Sequence, residues 1–215
     1  MTVLFILACL LGSYLLGSFN GSIIFSKSRG QDIRNSGSKN AGMTNTLRVY
    51  GKKAAVFVFA FDLFKGVISA VLVTYLAGIF FGKESVVCEF AKYAASLGAV
   101  LGHNFPLYFG FRGGKGILTS WGVIMILDYR IAVVLIVVFL ALVLLFRYVS
   151  LASVTVSALF PVLAIWFTWG EVSPAKPYYI ALALLMAALA IYRHRANISR
   201  LIAGTESKLG KKKES

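Results

Sequence analysis

Seven stretches of the chain are almost purely apolar, and short polar segments separate them. They run over about 3–25, 54–81, 90–109, 116–128, 131–148, 151–169 and 177–193. About 20 apolar residues carry a helix across the hydrocarbon of a bilayer, whereas strands are far shorter. All but the fourth stretch approach that length. The fourth, 116–128, is expected to form a thin or re-entrant span, and Asp128-Tyr129-Arg130 to make a tight turn after it. The pattern predicts an all-α membrane protein, a bundle of seven transmembrane helices. Met1-Thr2-Val3 carries no positive charge, and the first apolar run continues to about Phe25. That is too long for a signal-peptide core, so an uncleaved span is expected.

Composition agrees. Hydrophobic residues fill 59% of the 215 positions and charged residues only 14%, where a soluble domain carries about 25% charge. The net charge of +14 lies between the apolar runs, which excludes the nucleic-acid reading that a basic soluble chain would invite. Lys and Arg are unevenly divided. Seven lie in the loop 26–53, two in 110–116, one at Arg147 and seven in the C-terminal tail, all on one face; Lys83, Lys92, Arg130 and Lys176 fall on the other. The crowded face is the cytoplasmic one. The N-terminus is then outside and the C-terminus cytoplasmic, which requires an odd number of crossings. One domain, 1–215, is expected, with 204–215 as a flexible basic tail near anionic headgroups.

Chemistry-bearing residues gather in the loops of the basic face. The segment Gly37-Ser38-Lys39-Asn40-Ala41-Gly42-Met43-Thr44-Asn45-Thr46-Leu47-Arg48 combines glycine, hydroxyls, amides and a guanidinium. Glycine lets backbone N–H groups converge on an anion, and Arg neutralises it. Thr44 suits an N-cap if a helix starts there. The plain alternative is an ordinary polar loop with positive-inside charge. The segment Gly110-Phe111-Arg112-Gly113-Gly114-Lys115-Gly116 is a second anion candidate, leading into a short helix. It fails as a nucleotide P-loop: the motif's first glycine falls on Phe109, and Gly116 rather than Ser or Thr follows Lys115. His103, beside Asn104 and Pro106, reads as support for the site. Asp62 and Lys65, at i, i+3 inside the second span, can pair on one helix face and anchor the loops. At the end of the last span, His194 and Asn197 share a helix face. Glu206 reads as a tether among cations. Ser150, near Arg147, is a weaker substrate candidate. Ser13, Gly17 and Gly21, spaced by four, form a packing stripe. Cys9 and Cys88 match no metal or redox spacing and read as packing thiols.

Three segments together resemble the PlsY family of bacterial membrane acyltransferases. They are Gly37 to Asn45 with Arg48; Gly102-His103-Asn104-Phe105-Pro106 with Gly113-Gly114-Lys115-Gly116; and His194-Arg195-Ala196-Asn197-Ile198 with Gly204-Thr205-Glu206. Asp62 and Lys65-Gly66 fit as well. The chain departs at Lys39, where many members have glycine, and at Ile117-Leu118, where Val-Ala is usual. The resemblance implies a seven-helix enzyme of the bacterial inner membrane with a cytoplasmic active site. It implies transfer of an acyl group from acyl phosphate to the 1-hydroxyl of glycerol 3-phosphate, giving lysophosphatidate and inorganic phosphate, with no cofactor and no metal. The expected catalytic residues are His194, Ser38 and Asn197. Those expected to hold substrate are Asn40, Thr44, Asn45, Arg48, Gly113, Gly114, Lys115, Gly116 and Ser150. His103, Asp62, Lys65 and Glu206 support them. The proton acceptor is either His194 or the departing phosphate. The rival reading is a transporter of a phosphorylated solute, which would place its site at mid-membrane between related halves. No internal repeat is seen here. Neither acyl-chain preference nor oligomeric state is written in the pattern.

Overall fold

The computed structural model describes residues 1–210, and these form nine α-helices and two short 3-10 turns. In chain order the helices are α1 Thr2–Gly17, α2 Gly21–Lys27, α3 Met43–Phe81, α4 Val86–Asn104, α5 Ile117–Leu127, α6 Tyr129–Phe146, α7 Val149–Phe167, α8 Lys176–Arg193 and α9 Arg195–Ile202. No strand occurs among the described residues. Four segments are long and apolar enough to cross a membrane: Thr2–Lys27, Met43–Phe81, Tyr129–Phe146 and Val149–Phe167. A fifth is α8 taken with α9 across a bend of 59°. α6 shows what surrounds the bundle. It is apolar all round, yet Val133, Val137, Leu140 and Leu144 are exposed, as suits a helix that faces lipid.

The first apolar run is two helices, not one. Between them Asn20 is extended, and its side chain accepts from Ile23 N, capping α2. Backbone freed inside a membrane needs partners within the protein. The Asp62–Lys65 pair supplies them: Lys65 Nζ donates to Phe19 O at 2.8 Å, and Gly21 N donates to Asp62 Oδ1 at 3.2 Å. The pair expected to anchor the loops therefore holds the break in α1–α2.

α3 starts earlier than the apolar pattern indicated. Its N-cap is Gly42, so Thr44 lies in the first turn rather than at the cap. Its 39 residues would run about 58 Å if straight, well beyond a bilayer core of ~30 Å. Gly51, at φ 81°, kinks it there, and glycine alone adopts that geometry without strain. α5 has 11 residues, about 16 Å, which is short for a full crossing. The turn after it is a single residue: Asp128 ends α5 and caps α6 by accepting from Arg130 N.

Glycine makes the two tightest helix crossings. A Cβ on Gly17 would strike the backbone at Ala99, and one on Gly102 the backbone at Tyr14, so α1 and α4 touch main chain to main chain. Gly66 and Gly122 do the same for α3 and α5. Ser13 and Gly17 of the expected stripe are buried in the first crossing, while Gly21 lies past the break and faces Phe61. Cys9 and Cys88 are both free and buried in one apolar cluster with Val73, Ala77, Ala91 and Ala95. The main core lies between α4, α5, α6, α7 and α8.

The described part of the tail bonds to the body of the protein. Within 204–210, Thr205 N donates to Arg200 O, and Leu209 N donates to Arg147 O at 2.7 Å. Backbone bonds to α9 and to the α6–α7 turn hold the segment on the protein. Residues 211–215 of the expected flexible tail lie outside the described residues.

Candidate active site

Two loops and one helix end build a single polar pocket. The first loop, ahead of α3, is organised by Asn45. This side chain is buried and spends all its capacity on backbone: it accepts from Ser38 N and donates to the carbonyls of Ile33, Ser36 and Asn40. Asn45, expected to touch substrate, holds the shape of this loop through these bonds. Gly37 and Lys39 both have φ near 59°, the left-handed region that favours glycine. Lys39 thus occupies a conformation better suited to the glycine that many members of the resembled family carry there.

Arg34 ties this loop to the second. Paired with Asp32 at 2.7 Å, it donates to Phe109 O at 2.7 Å and Arg112 O at 3.1 Å. The Arg34 guanidinium holds the Asp32 carboxyl below its ordinary range.

In the second loop the glycines are a strap rather than an anion nest. Gly113 N donates to Asn104 O and Gly114 N to His103 O. Their carbonyls accept from Arg193, at 2.9 Å for Gly113 O and 2.7 Å for Gly114 O. Both N–H groups expected to bind phosphate are therefore spent on the C-terminal end of α4. Glycine is required for space, since a Cβ at Gly114 would strike the His103 ring and Ala41 O. Gly116 is different. At φ 83° it caps α5 and lines the pocket.

The pocket is a cavity of about 390 Å³ with two unlike ends. Its polar end is lined by Asn40, Thr44, Arg48, Lys115, His194 and Asn197, with Gly116, Ser150 and Glu206 beside them. Both α3 and α5 begin at this end, so two helix N-termini face it, and each carries partial positive charge. The rest is an apolar groove between α5, α6, α7 and α8, with Phe59 of α3 at one side. Lys115 donates to Asn197 Oδ1. Asn197 Nδ2 donates to Glu206 Oε1 at 2.7 Å, which also accepts from Ser150 Oγ at 2.9 Å, while Arg200 pairs with Glu206 Oε2 at 2.6 Å. Glu206, expected as a tether, accepts from Ser150, Asn197 and Arg200 together. It draws α7, α9 and Lys115 to one point. Ser207 and Leu209 of the docked tail line the same cavity.

The titrating groups are tuned by burial and by one another. Burial lowers the Lys115 pKa to about 8; Glu206 pulls it up, and Arg200, Arg193 and Arg48 push it further down. Lys115 is thus a cation poised near neutrality, easily kept charged by an incoming anion. His194, just beyond the end of α8, is buried and lines the same cavity as Lys115. Its Nδ1 lies 2.8 Å from Ala190 O, an acceptor, so Nδ1 carries the hydrogen and Nε2 accepts.

The expected residues sort cleanly. Asn40, Thr44, Arg48, Lys115, Gly116, Ser150, His194 and Asn197 share one cavity, with His103, Asp62 and Glu206 also on its wall. Asn45, Gly113 and Gly114 are not among its lining residues and act on loop shape. Ser38 is exposed, two residues from Asn40, and its hydroxyl bonds to no described residue. Lys65 lies behind the wall, 2.9 Å from both Asp62 Oδ1 and His103 Nδ1. Arg34, Arg193 and Arg200 were missed as site residues. Each sits in or beside a loop of interest, yet nothing in the sequence says which carbonyl or carboxylate a given Arg will reach.

With this geometry in view, comparison with known proteins is specific. Residues 7–204 match the family model described as glycerol-3-phosphate acyltransferase. The glycerol-3-phosphate acyltransferase of Thermoanaerobacter sp. is 43% identical over 203 residues, 94% of each chain. That of Halalkalibacterium halodurans is 45% identical over 209 residues, 95% of each. Among solved structures, the glycerol 3-phosphate form of PlsY, an integral membrane glycerol 3-phosphate acyltransferase, aligns with a TM-score of 0.79 and 40% identity over 95% of this chain and 96% of that one. Its lysophosphatidic acid form aligns with a TM-score of 0.76 at 38% identity, over 95% of each chain. The fold is that of an integral membrane acyltransferase. The chain belongs to the glycerol-3-phosphate acyltransferase family, to which the solved PlsY structures also point.

Proposed function

We propose that the protein transfers a fatty acyl group from acyl phosphate to the 1-hydroxyl of glycerol 3-phosphate, giving lysophosphatidate and inorganic phosphate. We infer that 1–215 is one domain with seven crossings, its N-terminus outside and its C-terminus cytoplasmic, in a bacterial inner membrane. The site then faces the cytoplasm, where a water-soluble glycerol 3-phosphate meets a donor held in lipid. The observation that carries the reading is the two-ended cavity. A cationic end accepts phosphate, and an apolar groove leads from it and accepts a fatty chain. The chain gains about 0.8 kcal/mol per CH₂ by staying out of water.

In this reading Arg48, Lys115 and the N-terminal N–H groups of α3 and α5 hold phosphate oxygens. Asn40, Thr44, Ser150 and Asn197 orient the glycerol. Ser38, with its hydroxyl unspent, joins from the loop's outer edge. The hydroxyl oxygen attacks the acyl carbonyl carbon; a new ester C–O bond forms, and the bond from that carbon to the phosphate oxygen breaks. The proton has two possible destinations. His194 Nε2 is free to accept a hydrogen bond, but Lys115 in the same cavity opposes a second positive charge on the ring. The departing phosphate is the better acceptor, since a phosphate group takes its second proton with a pKa of about 6. We therefore assign the proton to phosphate and assign His194 the task of orienting the hydroxyl. Acyl phosphate is already activated, so positioning and charge neutralisation supply the acceleration.

The test is direct. Purified protein in lipid nanodiscs receives acyl phosphate and glycerol 3-phosphate, and mass spectrometry follows lysophosphatidate. Product formation that collapses in Arg48→Ala and Lys115→Ala is expected. Absence of product, or undiminished product in both variants, sinks the reading. Thiol labelling of Ser38→Cys from the outer side in sealed vesicles would overturn the inferred orientation.

A further inference from the structure

The depth of the groove can be read from the residues that line it on each helix. The lining runs from Ile117 to Ile124 on α5, from Val143 back to Leu135 on α6, from Val149 to Phe160 on α7, and from His194 back to Met186 on α8. At about 1.5 Å per residue, these walls are roughly 11–17 Å deep. All four start at the polar end, and the last lining residues on them are Ile124, Leu135, Phe160 and Met186. One turn further, Ile131, Ala132, Ala164, Leu182 and Ala183 are packed into the main core and do not line the cavity. The groove therefore has a floor.

Its walls change character on the way down. Near the polar end they are small: Ser150, Ser153 and Ser157 on α7, Ala187 and Ala190 on α8. Ser153 Oγ donates to Val149 O at 2.8 Å and Ser157 Oγ to Ser153 O at 2.7 Å. Each serine turns its hydrogen back onto its own helix, which leaves a slim wall that asks for no polar partner. At the floor three bulky side chains meet, Phe160, Leu135 and Met186, exposed by only 2%, 5% and 3%. Close-packed side chains of this kind do not yield to an extra methylene without strain.

We propose that Phe160, backed by Leu135 and Met186, is a steric ruler that sets the length of fatty chain the enzyme accepts. The inference rests on the reading of the groove as the acyl site. The donor's phosphate is pinned at Lys115 and Arg48, so its chain is measured from a fixed point. Chains that end above Phe160 fit; longer ones must bend out toward lipid past the partly exposed Phe139 and the exposed Leu140.

The experiment measures kcat/KM for dodecanoyl, tetradecanoyl, hexadecanoyl and octadecanoyl phosphate. Phe160→Ala deepens the groove and is expected to raise the ratio of octadecanoyl to dodecanoyl turnover at least about tenfold over the unmodified protein. Ser157→Phe raises the floor and is expected to lower that ratio by as much. Because Phe160→Ala opens a hole in the core, Ser157→Phe supplies an independent arm that only adds bulk to the groove. A ratio unmoved in both variants overturns the ruler while leaving the acyl-transfer reading intact. Failure of the unmodified protein with every donor removes both.

Discussion

Two buried polar clusters stand side by side in this protein, and they do different work. Asp62, Lys65 and His103 lie within 3.5 Å of one another, each no more than about 5% exposed. Lys115, Asn197, Glu206 and Ser150 form an equally connected group about the polar end of the cavity. In the first, the valences go to neighbours: Lys65 meets Phe19 O, Asp62 Oδ1 and His103 Nδ1, and Asp62 also meets Gly21 N. One cation faces one carboxylate, and the bonds join α1–α2, α3 and α4. In the second, Lys115 feels the charges of Arg48, Arg193 and Arg200 against one carboxylate, Glu206. Excess positive charge is left facing a void. Buried charge alone does not mark a reactive site. Charge left without its counter-charge does, because only a ligand can supply the remainder.

The contrast predicts opposite consequences for similar truncations. The largest effect is expected at Asp62→Ala, which strands a buried ammonium and the broken backbone at Gly21. It should destabilise the protein by about 3–5 kcal/mol, seen as a lower unfolding midpoint in detergent. Lys115→Ala should do the reverse. Its midpoint should hardly move, while kcat/KM for glycerol 3-phosphate falls by about 10²–10³. If Asp62→Ala kept its midpoint, or Lys115→Ala lost it, the division between a framework cluster and a binding cluster would fail.

Arg193 lies between the two clusters and should show a mixed outcome. Arg193→Lys cannot reproduce the fork on Gly113 O and Gly114 O. It should cost about 1–3 kcal/mol in loop order, read as a raised KM with kcat less affected. The pH profile is a milder probe. Lys115 is charged below about 8 and loses its proton above it. Anion binding should therefore be complete on the acid side of 8, and kcat/KM should fall by about tenfold per pH unit beyond it. Bound phosphate favours the charged form, so the same limb in kcat should lie at higher pH. The smallest effect is expected at Lys39→Gly. Relief of the left-handed strain, offset by chain entropy, should shift stability by under about 1 kcal/mol, with activity retained because Lys39 does not line the cavity.

The sequence by itself determined the apolar segments, the charge asymmetry between loops and the residue types of all three polar segments. These follow from local rules: how many apolar residues cross a bilayer, and which groups suit an anion. Asp62 with Lys65, at i, i+3, was legible for the same reason, as was Glu206 among its cations. Tertiary structure alone decided the break at Asn20, the kink at Gly51, the docked tail, and which polar groups remained unspent. Asn45, Gly113 and Gly114 carry the chemistry of anion binding, yet their donors are consumed at distances no local pattern encodes. Arg193 reaches Gly114 across 79 residues of chain, and Arg34 reaches Phe109 across 75. A side chain's composition says what it can bind; only its neighbours in space say what capacity is left, because a hydrogen-bonding group satisfied by the fold has nothing further to offer a substrate.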